Sequence, residues 1–146
     1  MIEISSTPMI LLAILGVVGI SLPLINIARK EQGSSSFYGA IAFGALLASI
    51  GYVIYQFATG SVAQGAIFSE DVLADDAFGG LFAIAMLIVA IMTTVGSFNY
   101  MKKQKNSAVY FSLILLSAIG MVFVAYSTDL VMLFVAWELM SIPTYI

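Results

Sequence analysis

Glu138 is the one residue carrying an acidic or basic side chain inside an apolar run of this 146-residue chain. It sits in Asp129-Leu-Val-Met-Leu-Phe-Val-Ala-Trp137-Glu138-Leu-Met-Ser141-Ile-Pro143. A carboxylate in hydrocarbon costs several kcal/mol or takes up a proton, so such a residue marks a functional site by default. The chemistry open to it is reversible protonation or cation binding. On a helix, Glu138 lies about 13.5 Å past Asp129, near the middle of a ~30 Å hydrocarbon core. Trp137, about 12 Å past Asp129, is expected near mid-membrane too, packing or lining a cavity beside the carboxyl. Five residues on, Pro143 lacks its N–H and leaves the carbonyl of Leu139 without a helical partner. Lipid tolerates a freed carbonyl only where a side chain or water satisfies it, and Ser141 and Thr144 are close by in sequence. The candidate site is therefore Glu138 as the proton-transfer group. Pro143, Ser141 and Trp137 form the kink and the water access around it.

Two readings of Glu138 stand at this point. In one it is a permanently protonated carboxyl that ties two helices by a hydrogen bond. In the other it is a protonatable group on a proton or cation path. No Lys or Arg lies within any apolar run, so a charge partner would have to come from another chain or from further sequence.

The elements that must position this residue are legible from hydropathy. The chain is 62% hydrophobic and 9% charged, whereas a soluble domain is about a quarter charged. Too few charges remain to solvate a globular surface, so the expected product is an integral membrane protein. Apolar runs cover about Pro8 to Ala28, Phe37 to Ala58, Phe78 to Tyr100 and Ala108 to Tyr126, and a fifth opens at Leu130 and runs to Ile146. A span needs ~20 residues; four runs qualify and the fifth is shorter. The expected fold is all-α: a polytopic transmembrane helix bundle of four complete spans and a truncated fifth. It is read as a single membrane domain over residues 1–146, a fragment of a longer subunit cut inside a helix.

All the basic residues fall in two connections: Arg29 and Lys30 after the first span, and Lys102, Lys103 and Lys105 after the third. The connection from Thr59 to Ala77 instead carries Glu70, Asp71, Asp75 and Asp76. The positive-inside rule then places the two basic loops in the cytoplasm, with the amino terminus and the acidic loop outside. Val62 to Ala74 is read as a solvated loop or a short amphipathic piece. The first span is not a secretory signal, because its basic residues follow the apolar core instead of preceding it.

Within the spans, Ala40, Gly44 and Ala48 at four-residue spacing suit close helix approach, and Gly16, Gly19, Gly96 and Gly120 are read the same way. Thr93, Thr94, Ser112 and Ser117 can bond their own helix or cross-link a neighbour. Pro23 frees the carbonyl of Gly19, which Asn26 could bond unless it reaches a neighbouring helix instead. Tyr100 and Tyr126 fit an interfacial aromatic belt.

Other chemistries are excluded by residue type. With no Cys and no His, the chain offers no iron–sulfur ligation, no His-ligated haem, no ordinary zinc site and no imidazole relay. A net charge of −3 argues against nucleic acid as a partner. The chain is expected to bring no cofactor of its own.

The run Tyr126-Ser-Thr-Asp129-Leu-Val-Met-Leu-Phe-Val-Ala-Trp137-Glu138-Leu-Met-Ser141-Ile-Pro143-Thr-Tyr145-Ile resembles the fifth helix of the antiporter-like membrane subunits of respiratory complex I. Among these it is most similar to subunit N. The Asp76-Ala-Phe78 opening of the third span is similar as well. The resemblance covers the whole chain in topology and this one run in motif. It implies a proton-translocating membrane subunit of a complex I-like dehydrogenase, donating to a quinone and fed by NADH or, in archaeal members, by F(420)H(2) or ferredoxin. In that family the matching glutamate faces a lysine on a later, broken helix, and the pair sets protonation of a water-filled half-channel. Only Glu138 carries that role over, since a complete member has many more helices. The resemblance implies other membrane subunits of the assembly as partners, the lipid bilayer around the chain, and a quinone or similar carrier bound by other subunits. It also implies a multi-pass place in a prokaryotic plasma membrane. A cation/proton antiporter subunit of the Mrp type and a non-pumping assembly subunit remain as competing readings.

Overall fold

The computed structural model describes residues 6–29, 34–59, 73, 76–104 and 106–145. The chain is all-α, with helices α1 (Ser6–Ala28), α2 (Ser35–Thr59), α3 (Ala77–Met101), α4 (Ser107–Tyr126) and α5 (Leu130–Ser141), and a closing 3-10 turn, Ile142–Tyr145. Four of the five helices are long and apolar enough to cross a membrane. Each outruns its apolar run by a residue or two. Most of the extra residues are polar or small, and at the start of α3 a side chain caps the helix: Asp76 Oδ1 accepts from the N–H of Gly79 at 2.8 Å. The stretch Val62 to Ala74 lies outside the described residues apart from Leu73, which makes an isolated antiparallel bridge to Ser127.

α4 is the hub. It packs against α1, α2, α3 and α5, whereas α1 and α3 do not touch each other. The core runs along its length through Phe111, Leu115, Ala118 and Val122, met by Leu11 and Leu15 of α1, Leu46 of α2 and Leu87 of α3. Apolar residues on the outward faces stay exposed, Val17, Ile20, Ile54, Phe78, Met92 and Val95 among them. That is the pattern of a bundle solvated by lipid.

Lipid supplies no hydrophobic force between helices, so close packing and interhelical hydrogen bonds must hold the bundle. At one end Gln56 Nε2 of α2 donates to Thr7 Oγ1 of α1 at 3.1 Å. At the other, Tyr38 Oη of α2 donates to Asn26 Oδ1 of α1 at 2.9 Å. Ser97 and Tyr110 pair their hydroxyls at 2.8 Å between the end of α3 and the start of α4. These pairings make neighbouring helices antiparallel and bring Arg29 and Lys102 to one end of the bundle. Tyr38→Phe removes a buried bond and is expected to destabilise the solubilised chain by ~0.6 kcal/mol, up to ~1.7 kcal/mol. Detergent-titrated unfolding checks it; a midpoint equal to wild type would show that the bond contributes nothing.

Several readings that the sequence left open are decided here, and some expectations shift. Asn26 reaches Tyr38, not the carbonyl of Gly19, and Ser112 Oγ of α4 takes that carbonyl. Thr93 and Thr94 bond back to their own helix, at Val89 O and Ala90 O. Tyr126 is buried, lying over Gly79 and Gly80, so it belongs to the core and not to an outer aromatic belt; Tyr100 is exposed. The Ala40, Gly44 and Ala48 face points away from the other described helices, and nothing lies within 4 Å of a Cβ placed on Gly44 or Gly96. Gly120 does what the small-residue reading expected, at the seam between α4 and α5.

Candidate functional site

α5 enters with Asp129 as its N-cap in extended backbone and packs against α4 and its own 3-10 turn. Only Ala136 of α5 is buried among the described residues. Met132 and Leu139 pack half-buried on the side toward α4, and the opposite side of the helix presents a wide open face. Leu130, Phe134 and Glu138 follow each other at four-residue spacing along it, and Leu133 and Trp137 form the adjacent row. Together with Val131 they line an open groove of about 520 Å³. The walls are apolar except for the Glu138 carboxyl. Trp137 is 57% exposed, so it forms a wall of this groove and is not packed inside the bundle.

Among the described residues, none hydrogen-bonds the Glu138 carboxyl and no Lys or Arg forms an ion pair with it. The carboxyl faces away from the helices that hold its backbone. A group brought from outside these helices would meet it at the open face.

The backbone beneath Glu138 is fixed from the opposite side. The Glu138 carbonyl accepts from the N–H of Ile142, which ends the α-helical bonding of α5. The chain then tightens into the 3-10 turn, with Pro143 buried. Regular α-helix would have freed the carbonyl of Leu139. In a 3-10 turn, bonds run to the residue three back, so the missing N–H of Pro143 deprives Met140 instead. Ser117 Oγ of α4 donates to Met140 O at 3.1 Å. Thr144 Oγ1 donates to Ser141 O at 2.6 Å, so Ser141 takes part through its carbonyl. Ser112, one and a half turns before Ser117, bonds the Gly19 carbonyl that Pro23 frees in α1. One helix thus supplies a serine to each of two proline-interrupted helices.

Gly120 sets how near α5 comes. A Cβ at this position would sit 2.7 Å from Met140 Cα and 2.9 Å from the carbonyl carbon of Leu139. The two backbones touch there, two residues past Glu138. Pro143, Thr144 and Ser117 line a second groove of about 500 Å³ between α3, α4 and the 3-10 turn, to which Thr93 and Tyr110 add hydroxyls.

The residues singled out from sequence therefore divide between two grooves. Glu138 and Trp137 share the outer one, Pro143 lines the other, and Ser141 lines neither. Sequence reasoning named Gly120 as a packing residue and Ser117 as one that could bond its own helix or cross-link a neighbour, without linking either to the site; Ser117 makes the cross-link. The available signal was a serine and a glycine three residues apart on one face of a span, which permits both a backbone approach and a donated hydrogen bond.

The chain is similar along most of its length to curated proteins of one kind. It is 32% identical over 134 residues, 91% of its length, to "NADH-quinone oxidoreductase subunit N" of Desulfitobacterium hafniense. It is 33% identical over 132 residues, 90% of its length, to the protein of the same name in Desulforamulus reducens. It is 30% identical over 131 residues, 87% of its length, to "F(420)H(2) dehydrogenase subunit N" of Methanosarcina mazei. In each case it spans about a quarter, 26%, of the relative's own length. No family model and no solved structure matches.

Proposed function

We propose that this chain is part of a subunit N of a complex I-like dehydrogenase, and that Glu138 is a protonatable residue on its proton path. The observation that carries the reading is the pairing of a carboxyl on the open face of α5, with no hydrogen-bond partner among the described residues, with a broken helix at Pro143. A carboxyl whose task was to pin helices within this bundle would be hydrogen-bonded to one of them. Similarity to relatives named for two different donors, NADH and F(420)H(2), supports placing donor oxidation on other subunits. In this reading the quinone or similar carrier is likewise held by other subunits. The membrane subunits of that assembly would cover the open face of α5, in a prokaryotic plasma membrane.

In this reading the Arg29 and Lys102 end of the bundle faces the cytoplasm. The chain has no Cys, so single-cysteine labelling is clean. With a membrane-impermeant maleimide on intact cells, Thr128→Cys is expected to react and Gln104→Cys only after the cells are opened; the reverse pattern would invert the topology. The function itself is tested by donor-driven proton uptake into sealed inverted vesicles carrying the complete assembly, with and without Glu138→Gln. Uptake that persists in the variant would leave the assembly role standing and remove the conducting one.

A further inference from the structure

Ser117 and Gly120 meet α5 immediately after Glu138, and no other described helix holds that part of α5. Ser117 is 6% exposed, and its hydroxyl is committed to Met140 O at 3.1 Å. Gly120 brings the two backbones into contact at Leu139 and Met140. Met140 lies within one helical turn of Glu138, whose own carbonyl makes the last α-helical bond before the 3-10 turn. We infer that Ser117 is a positioning residue for Glu138: by bonding the carbonyl that Pro143 leaves without an N–H, it holds the α-to-3-10 boundary at residue 142 and so fixes the direction in which the Glu138 carboxyl points.

The reasoning is one of alternatives. Without a donor, Met140 O would be an unsatisfied carbonyl in the membrane interior, which lipid does not tolerate. The turn would then move to find a partner, either by shifting the boundary along α5 or by admitting water from the second groove. Either change rotates Glu138 relative to the open face. Serine is suited to the task because its hydroxyl donates while its small side chain lets α5 approach. Thr144 cannot substitute, since its hydroxyl already donates to Ser141 O.

The inference rests on the proposed role of Glu138, and the experiment separates the two. Sealed vesicles carrying the complete assembly are compared for wild type, Ser117→Ala, Ser117→Thr, Ser117→Cys and Glu138→Gln. Two quantities are read: protons moved per electron transferred, and the carboxyl C=O stretch of Glu138 in pH-difference infrared spectra, assigned by its loss in Glu138→Gln. Ser117→Ala is expected to displace the stretch and to lower translocation about threefold or more, the effect of one interhelical bond. Ser117→Thr restores both. Ser117→Cys, with its weak S–H donor, falls between, and it supplies the reading if the alanine variant does not assemble. A stretch unchanged in both the Ala and Cys variants overturns the positioning role. Translocation unaffected by Glu138→Gln overturns the function proposed for the acid, and the infrared comparison still decides the role of Ser117.

Discussion

Glu138→Gln is expected to abolish donor-driven proton translocation while leaving the membrane assembly intact. Glutamine has nearly the same shape and can still hydrogen-bond, but it binds no proton near neutral pH. The side chain lies on the open face of α5 and makes no described hydrogen bond, so the substitution disturbs nothing that holds α5 to α4. Moving one charge against the membrane potential costs ~2.3 kcal/mol per 100 mV, and a path without its protonatable station has no group to carry that step. Translocation is expected to fall below about a tenth of wild type, a barrier change of ~1.4 kcal/mol or more. Glu138→Asp keeps a titratable group one methylene shorter and is expected to retain part of the rate. Proton uptake by inverted vesicles, normalised to electron transfer, measures both.

The second large effect is expected at Gly120. Alanine is ordinarily the better helix former, by ~1 kcal/mol over glycine. At Gly120 the added methyl would lie 2.7 Å from Met140 Cα, against backbone that cannot rotate away as a side chain can. The seam would have to open, with loss of the Ser117 bond to Met140 O. Overpacking of this kind costs ~1–3 kcal/mol, so Gly120→Ala is expected to destabilise despite its helix propensity. Gly44→Ala, with nothing within 4 Å of the new methyl, should be neutral or mildly stabilising in the same solubilised chain. Detergent-titrated unfolding of the two variants is the measurement. Equal midpoints would mean that α4 and α5 are not in backbone contact at Gly120.

The helices were legible because lipid imposes long apolar runs, and hydropathy finds them to within a residue or two. What hydropathy leaves open is rotation, since every face of such a helix is apolar. Ala40, Gly44 and Ala48 have the right spacing for close packing but point away from the other described helices, while Gly120, with no comparable pattern, is where two backbones meet. Tyr126 sits at a span end like Tyr100, yet one is buried and the other exposed. Only the neighbouring helix distinguishes them: Gly79 and Gly80 leave room for the Tyr126 ring. At the candidate site, Glu138 and Pro143 stood out because an acid and a proline are costly in lipid. Ser117 did not, because an intramembrane serine usually satisfies itself on its own helix, as Thr93 and Thr94 do here. The identity of the freed carbonyl also escaped, since it depends on the helix tightening to 3-10 before the proline.

That α4 is the hub has a consequence for how the bundle is made. The helices α1, α2 and α3, which leave the ribosome before α4, share only the α1–α2 and α2–α3 seams. In the insertion machinery, α2 alone therefore joins α1 to α3 until residues 107–126 emerge and supply a helix that packs against all three. The Gly19 carbonyl, freed by Pro23, must wait for Ser112, shielded meanwhile by water or by the channel wall. The fourth helix is thus the keystone of biogenesis: a nascent chain halted before it is a loose set of hairpins, and one halted after it has every internal seam except that of α5.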